Sequence, residues 1–337
     1  MKKTISIILA ALMMLSAFAF VGCDKEEQEA ALKFGMGVYA YYEEASSADG
    51  ENNGSAAVCV TVAAVLVDEA GKIVKVDFDT AENSVAYTSE GKAVATGEFL
   101  TKKEKGDNYG MVAWGGATLE WDAQVDALET VLAGKTLEEA KASIVNGYKG
   151  TDEVLNAGCT IAISDFILAL EKAMANLTES AATASATLNT GIVTVSDEAV
   201  DATEDAEGKH VLATAVAAAA IDKDGKVIVL ANDAFDAEFK FGTAGEALEG
   251  STAIVTKLEK GTNYNMAAYG ADLNGDGIVK EWFEQAEVFN AACEGLTATE
   301  IAALVVNGYG VESVQSAGCT IAISDMANAA VKAATIG

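Results

Sequence analysis

Ala157-Gly158-Cys159-Thr160-Ile161-Ala162-Ile163-Ser164-Asp165 recurs without change at Ala317 to Asp325. Nine identical residues in one order do not arise twice by chance, so the chain is a tandem duplication. Outward from the nonapeptide, the landmarks keep their order in both copies. Gly71-Lys72 matches Gly225-Lys226, and Lys105-Gly106-Asp107-Asn108-Tyr109 matches Lys260-Gly261-Thr262-Asn263-Tyr264. Glu120-Trp121 and Gln124 match Glu281-Trp282 and Gln285, and Asn146-Gly147-Tyr148 matches Asn307-Gly308-Tyr309. The first repeat covers 32–177, a linker rich in Thr, Ser and Ala covers 178–187, and the second repeat covers 188–337. Each repeat is about 150 residues, an ordinary domain size.

Within a repeat, strands come first. Val58 to Val67 is apolar and rich in β-branched residues, Asp68-Glu69-Ala70-Gly71 is a turn, and Lys72 to Phe78 returns. Helices follow. Trp121, Val125, Leu128 and Leu132 share one helical face, and Gly134 stands where a helix ends. Thr136 with Glu139, and Thr297 with Glu300, have capping-box spacing for a second short helix, which Asn146-Gly147 stops. A last helix follows the nonapeptide, with Ile163, Phe166, Ile167, Leu170 and Met174 on one face. This order predicts an α+β fold in two copies, each a mostly antiparallel sheet packed with C-terminal helices.

The N-terminus carries an address. Lys2 and Lys3 precede an apolar run from Ile5 to Val21, which ends in Gly22-Cys23 and an acidic stretch. The run falls short of the ~20 apolar residues of a spanning helix and has the build of an export signal over 1–22. Cys23 after a small residue resembles the lipidated first residue of a bacterial lipoprotein, followed by a polar tether to residue 31. The expected location is the outer face of the cell membrane, held by acyl chains on Cys23.

The chain has 51 acidic and 22 basic residues, a net charge of −29, and neither arginine nor proline. So acidic a surface repels nucleic acid. Any phosphate site must rely on backbone N–H groups and lysine, since no guanidinium is present. Beyond Cys23 the cysteines are Cys59, Cys159, Cys293 and Cys319, of which only Cys159 and Cys319 are equivalent. They read as small buried residues, with one disulfide left open by the spacing. His210 is the only histidine and has no clustered partners, so neither a metal centre nor a histidine base is expected. Gly35-Met36-Gly37 lacks a third glycine at Ala40 and is not a dinucleotide fingerprint.

The nonapeptide reads as a tight approach into a helix N-terminus. Gly158 permits an unusual backbone angle, Thr160 is placed to cap the helix, and Ile161 and Ile163 enter the core. Free N–H groups beside a hydroxyl also make an anion site. Gly158-Cys159-Thr160 before an amphipathic helix resembles the C-terminal motif of FMN-binding domains, found in exported redox proteins. That motif runs Asp-x-x-Ser/Thr-Gly-Ala-Thr-x-Thr/Ser, and its first Thr after Gly-Ala can be esterified to the FMN phosphate. The resemblance implies FMN at Thr160 and Thr320, glycine turns at Gly158 and Gly318, and an electron carrier with a redox partner in the envelope. Here the family's Asp falls on Val154 and Val314, its Ser/Thr on Ala157 and Ala317, its alanine on Cys159 and Cys319, and its last Thr/Ser on Ala162 and Ala322. With these departures, noncovalent FMN is expected ahead of covalent FMN. The flavin-free alternative is a surface lipoprotein that binds another ligand or serves as a spacer or adhesin.

Gln124 and Gln285 sit beside the apolar helix face, where an amide either meets a flavin ring edge or satisfies buried loop backbone. Tyr109 and Tyr264 are candidate pocket walls. The second repeat alone carries Asp272-Leu273-Asn274-Gly275-Asp276-Gly277, an insertion of six residues relative to the first. Oxygen ligands at alternate positions with glycine at the sixth match the start of a calcium loop. Phe283 occupies the twelfth position, so Glu281 or Glu284 would have to supply the carboxylate. The competing reading is a surface hairpin.

Overall fold

The computed structural model describes residues 29–248, 254–268 and 280–335. The leader with Cys23 and the candidate calcium ligands Asp272, Asn274 and Asp276 lie outside the described residues. The first repeat runs β1 Lys33–Tyr42, β2 Gly54–Val67, β3 Ile73–Tyr87, α1 Lys102–Lys105, α2 Trp121–Leu132, α3 Leu137–Lys141, the two-residue strands β4 Ile144–Val145 and β5 Lys149–Gly150, α4 Asp152–Ala157 and α5 Ser164–Ala175. Strand β6 Thr178–Glu179 precedes the second repeat. That repeat has β7 Thr187–Val200, β8 Gly208–Ile221, β9 Val227–Phe241, β10 Ala247–Leu248, α6 Lys257–Lys260, α7 Trp282–Cys293, α8 Ala298–Ala302, β11 Val305–Val306, β12 Tyr309–Gly310, α9 Glu312–Ser316 and α10 Ser324–Ala333. The α+β expectation holds: the main sheets are ordered β3-β2-β1-β6 and β10-β9-β8-β7, antiparallel throughout and packed against helices.

The two sheets lie face to face and share one core. Alternate residues of β2 take opposite sides: Val58, Val60, Val62 and Leu66 join the other sheet's Leu212, Val216 and Phe235. Ala63, Val65 and Val67 instead meet Val125, Leu128 and Leu170 of the first repeat's own helices. A strand buried on both sides has to be apolar without interruption, which accounts for the unbroken runs in β2 and β8. The layers are helix, sheet, sheet, helix.

An approximate two-fold relates the repeats, because the same contacts occur in swapped form. Ala48 N–H donates to Gly245 O at 2.8 Å, and its counterpart Ala202 N–H donates to Gly91 O at 2.7 Å. Lys172 pairs with Glu259 at 2.6 Å, and Lys332 with Glu104 at 2.5 Å. The equivalent rings of Tyr87 and Phe241 stack with centroids 4.7 Å apart and planes 5° from parallel.

Glycine sets the distance between helix and sheet. An added Cβ at Gly37 would collide with Ala169 O, and one at Gly191 with Ala329 O. Helices α5 and α10 therefore rest on bare strand backbone. Gly37 belongs with Gly35 to the pair that failed as a nucleotide fingerprint, and Gly35 likewise abuts α5, at Ala173 O.

His210 is fully buried in the seam, with Nε2 3.1 Å from Ala86 O, and burial lowers its pKa. Cys59, Cys159, Cys293 and Cys319 are all free and buried. Burial pushes the Cys159 and Cys319 thiols up to about 11, so neither is a ready nucleophile. Among the described residues no helix is long and apolar enough to cross a membrane.

Candidate functional site

Helix α4 ends at Gly158, whose φ of 113° is a left-handed conformation that side chains resist. Gly158 N–H then reaches Leu155 O at 3.1 Å and Cys159 N–H reaches Val154 O at 3.2 Å, the closing bonds of a helix C-terminus. Gly318 repeats this with φ 108°. The repeated glycine thus ends one helix, rather than opening the next.

The following helix begins later than its sequence implies. α5 starts at Ser164 with Ile163 at its cap position and no side-chain cap. Between them, Ala162 bridges to Lys149, and Ile163 N–H donates to Tyr148 O at 2.8 Å. Thr160 is therefore not the helix cap, and the expected placement of its hydroxyl among free helix N–H groups is corrected. The first turn of α5 already holds a carboxylate, Asp165, which also accepts from Tyr41 OH at 3.3 Å.

Thr160 is clasped from the side instead. Gln124, one turn into α2 and 1% exposed, accepts from Thr160 N–H at 2.8 Å and from Thr160 Oγ at 2.9 Å through the same oxygen. Its Nε2 donates to Leu119 O at 3.0 Å. Gln285 makes the same bonds to Thr320 N–H at 2.8 Å, Thr320 Oγ at 3.2 Å and Lys280 O at 3.1 Å. Both amides satisfy backbone groups, as buried polar atoms must. The structure brings each predicted glutamine to its predicted threonine.

Tyr109 and Tyr264 engage lysines. The Lys102 and Lys105 ammonium groups lie 5.1 and 5.8 Å from the Tyr109 ring centre, and Lys257 and Lys260 lie 5.5 and 5.7 Å from that of Tyr264. Glu281 is 8% exposed and accepts from Met266 N–H at 2.9 Å while joining a reciprocal cap with Glu284.

Sequence reasoning missed the hairpins beside the threonines. Asn146-Gly147 has φ of 54° and 82° and, with Tyr148, joins β4 to β5, while Asn307-Gly308 alone forms the two-residue turn between β11 and β12. The Asn-Gly signal was there, but such short strands carry no alternation to read. The hairpins hold Val145 and Tyr148 at 40% and 49% exposure, and Val306 and Tyr309 at 54% and 48%. In the second repeat, Val306, Tyr309 and Thr320 line one open cavity of about 560 Å³. Each corner also has a lysine: Lys149 on β5, and Lys280, whose Nζ donates to Ala317 O at 3.0 Å.

A buried carboxylate pair was also missed, because a single acid inside a strand gives no pattern. Asp79 accepts from Thr80 N–H at 2.7 Å and Lys103 N–H at 3.3 Å, while Asp233 accepts from Ala234 N–H at 2.7 Å and Leu258 N–H at 3.0 Å. Burial outweighs these bonds and raises both carboxyls to about 6, from an ordinary 3.8. The folded state thus holds these protons more tightly than the unfolded chain. The stability this confers is full below pH ~4 and is lost as pH rises through ~6, each carboxyl losing roughly 1.4 kcal/mol per pH unit across that window. Denaturation midpoints should fall between pH 4 and 6.5. The double variant Asp79→Asn and Asp233→Asn should flatten that slope, and an unaltered slope would refute the assignment.

No family model matches the chain, and no solved structure matches it. Over 120 residues it is 32% identical to a chlorophenol reductase of Desulfitobacterium hafniense, a stretch covering 32% of this chain and 36% of that protein. The chain thus spans about a third of the length of this curated relative. The likeness is to a redox protein.

Proposed function

We propose that this is an exported protein, lipid-anchored through Cys23, whose two FMN-binding-like repeats carry electrons outside the cytoplasmic membrane. The observation that carries the reading is the corner built twice around Thr160 and Thr320. There a threonine, a lysine and an exposed valine–tyrosine hairpin come together. In the second repeat the threonine and the hairpin, together with Glu312, border an open cavity of about 560 Å³, and Lys280 stands outside its lining; the volume is within the usual ~300–1,000 Å³ of small-molecule sites. The partial likeness to a reductase supports the same reading.

The residues fit a noncovalently held flavin phosphate. Lys149 or Lys280 would supply the cation in a chain without arginine, and Tyr148 or Tyr309 an exposed face for the ring. When bound, FMN supplies the capacity to accept and pass on electrons; the protein positions it and tunes its potential. Thr160 Oγ and Thr320 Oγ already donate to glutamine, which favours noncovalent binding over an ester. The family's leading acid would fall on Val154 and Val314, which are 0% and 2% exposed in the helical cores and unsuited to a charge.

The purified protein should bind added FMN, quench its fluorescence and stay yellow after desalting. Tyr309→Ala and Lys280→Ala should each weaken binding at the second site about tenfold, or ~1.4 kcal/mol. Its intact mass should stay unchanged after coexpression with a flavin transferase, and Cys23→Ser should move it from the membrane to the soluble fraction. A protein that stays colourless with FMN sinks the redox reading. The flavin-free surface lipoprotein would then stand, favoured by the Gln–Thr clasps that hold each corner closed without a ligand.

A further inference from the structure

The approximate two-fold is broken at one pair of equivalent places. In the first, β3 and helices α1 and α2 meet β7. Asp77 binds Lys103 Nζ at 2.5 Å and Thr190 Oγ at 2.7 Å, and Glu129 stands 3.7 Å from the same ammonium. A polar knot fills that junction. In the second, where β9 and helices α6 and α7 meet β1, the repeat puts Ala231 for Asp77, Leu258 for Lys103, Asn290 for Glu129 and Met36 for Thr190. Those four residues line an open cleft of about 560 Å³. Three polar members have become apolar, and Ala231, Leu258 and Asn290 are shorter than their counterparts, which leaves space. Phe34 and Phe283 extend the apolar wall.

The cleft has an acidic rim. Glu287 and Glu294 also line it, about one and three turns beyond Phe283, with Glu294 just past the end of α7. Both are exposed, and among the described residues neither pairs with a lysine. A mainly apolar floor, which also holds the hydrogen-bonded Asn232–Asn290 pair, under a carboxylate rim on a chain of net charge −29 complements a molecule with an apolar body and one positive charge.

We propose that this cleft is a binding site for a small lipophilic cation, an aryl- or alkylammonium. The body displaces water from Leu258, Phe283 and Ala291, with the nearly buried Met36 and Phe34 behind them, and the ammonium group stays at the rim beside the two carboxylates. The site lies apart from the threonine corners and does not depend on flavin.

Calorimetric titration of the full chain, without added flavin, tests this with three probes of one shape: 4-phenylbutylammonium, 4-phenylbutanol and 4-phenylbutyrate. The cation should bind saturably, one per chain, and about tenfold tighter than the alcohol, a ~1.4 kcal/mol difference. The acid should show no binding. Salt at ~0.5 M should erase most of the cation's advantage, since the rim carboxylates are exposed. Glu287→Gln with Glu294→Gln should lower the cation to the level of the alcohol. Ala231→Asp with Leu258→Lys, which rebuilds the knot, should abolish binding. Ala291→Phe, an exposed wall position, should do the same with an unchanged melting temperature. Absence of saturable binding, equal binding of the three probes, or wild-type binding by the Ala291→Phe variant would overturn the proposal and leave the flavin reading untouched.

Discussion

Expressed alone, residues 32–177 should not persist as a folded monomer. The repeat has the length of a domain, but one face of its sheet is finished only by the other repeat. Phe34, Met36, Val38, Val58, Val60, Val62 and Leu66 are each 4% exposed or less in the shared core. At about 1.5–3 kcal/mol per large apolar side chain removed from water, these seven contribute roughly 10–20 kcal/mol. The net stability of a whole domain is only ~5–15 kcal/mol. Light scattering should therefore find the fragment self-paired, aggregated or unfolded, and mixing it with residues 188–337 should restore a one-to-one complex. A cooperatively melting monomer of residues 32–177 would show that each repeat closes its own core.

Lys103→Met should destabilise the protein by about 3 kcal/mol, the lower end of the ~3–5 kcal/mol cost of breaking a buried ion pair. Among the described residues Lys103 is the only cation of its knot, and it faces two carboxylates, Asp77 at 2.5 Å and Glu129 at 3.7 Å. The side chains are 28%, 14% and 18% exposed, so water screens part of the loss. Burial raises the Glu129 carboxyl even beside Lys103, and removing the ammonium raises it further. The second junction supplies the control. Asp77→Ala, Lys103→Leu and Glu129→Asn together copy its residues and remove the charges with their partner, so this triple variant should be more stable than Lys103→Met alone. Urea midpoints at pH 7 decide it, and a loss under ~1 kcal/mol for Lys103→Met would mean the knot is solvated.

The candidate site was legible in its members and not in its geometry. The duplication singled out Thr160 with Thr320 and Gln124 with Gln285, and the structure joins each pair through one amide oxygen. The sequence pattern placed Thr160 at the start of the last helix. That helix begins at Ser164, because the chain first passes along the Val145–Tyr148 hairpin and bonds to it. A detour of three residues leaves no mark in periodicity. Capping boxes are local, and both expected ones formed, at Thr136 and Thr297.

By itself the sequence determined that the chain is two copies of one α+β unit, with strands before helices. Periodicity, turn residues and caps act within a few residues of one another, and those distances are written along the chain. Only the tertiary structure decided that the copies share a core, that Gly37 and Gly191 let helices rest on strand backbone, and that one junction is knotted while its twin is open. These depend on residues more than a hundred positions apart, such as Thr190 and Asp77. The unbroken apolar runs of β2 and β8 were visible throughout, but a run shows only that both faces are covered. What covers them is settled by the partner surface, which each repeat finds in its own duplicate.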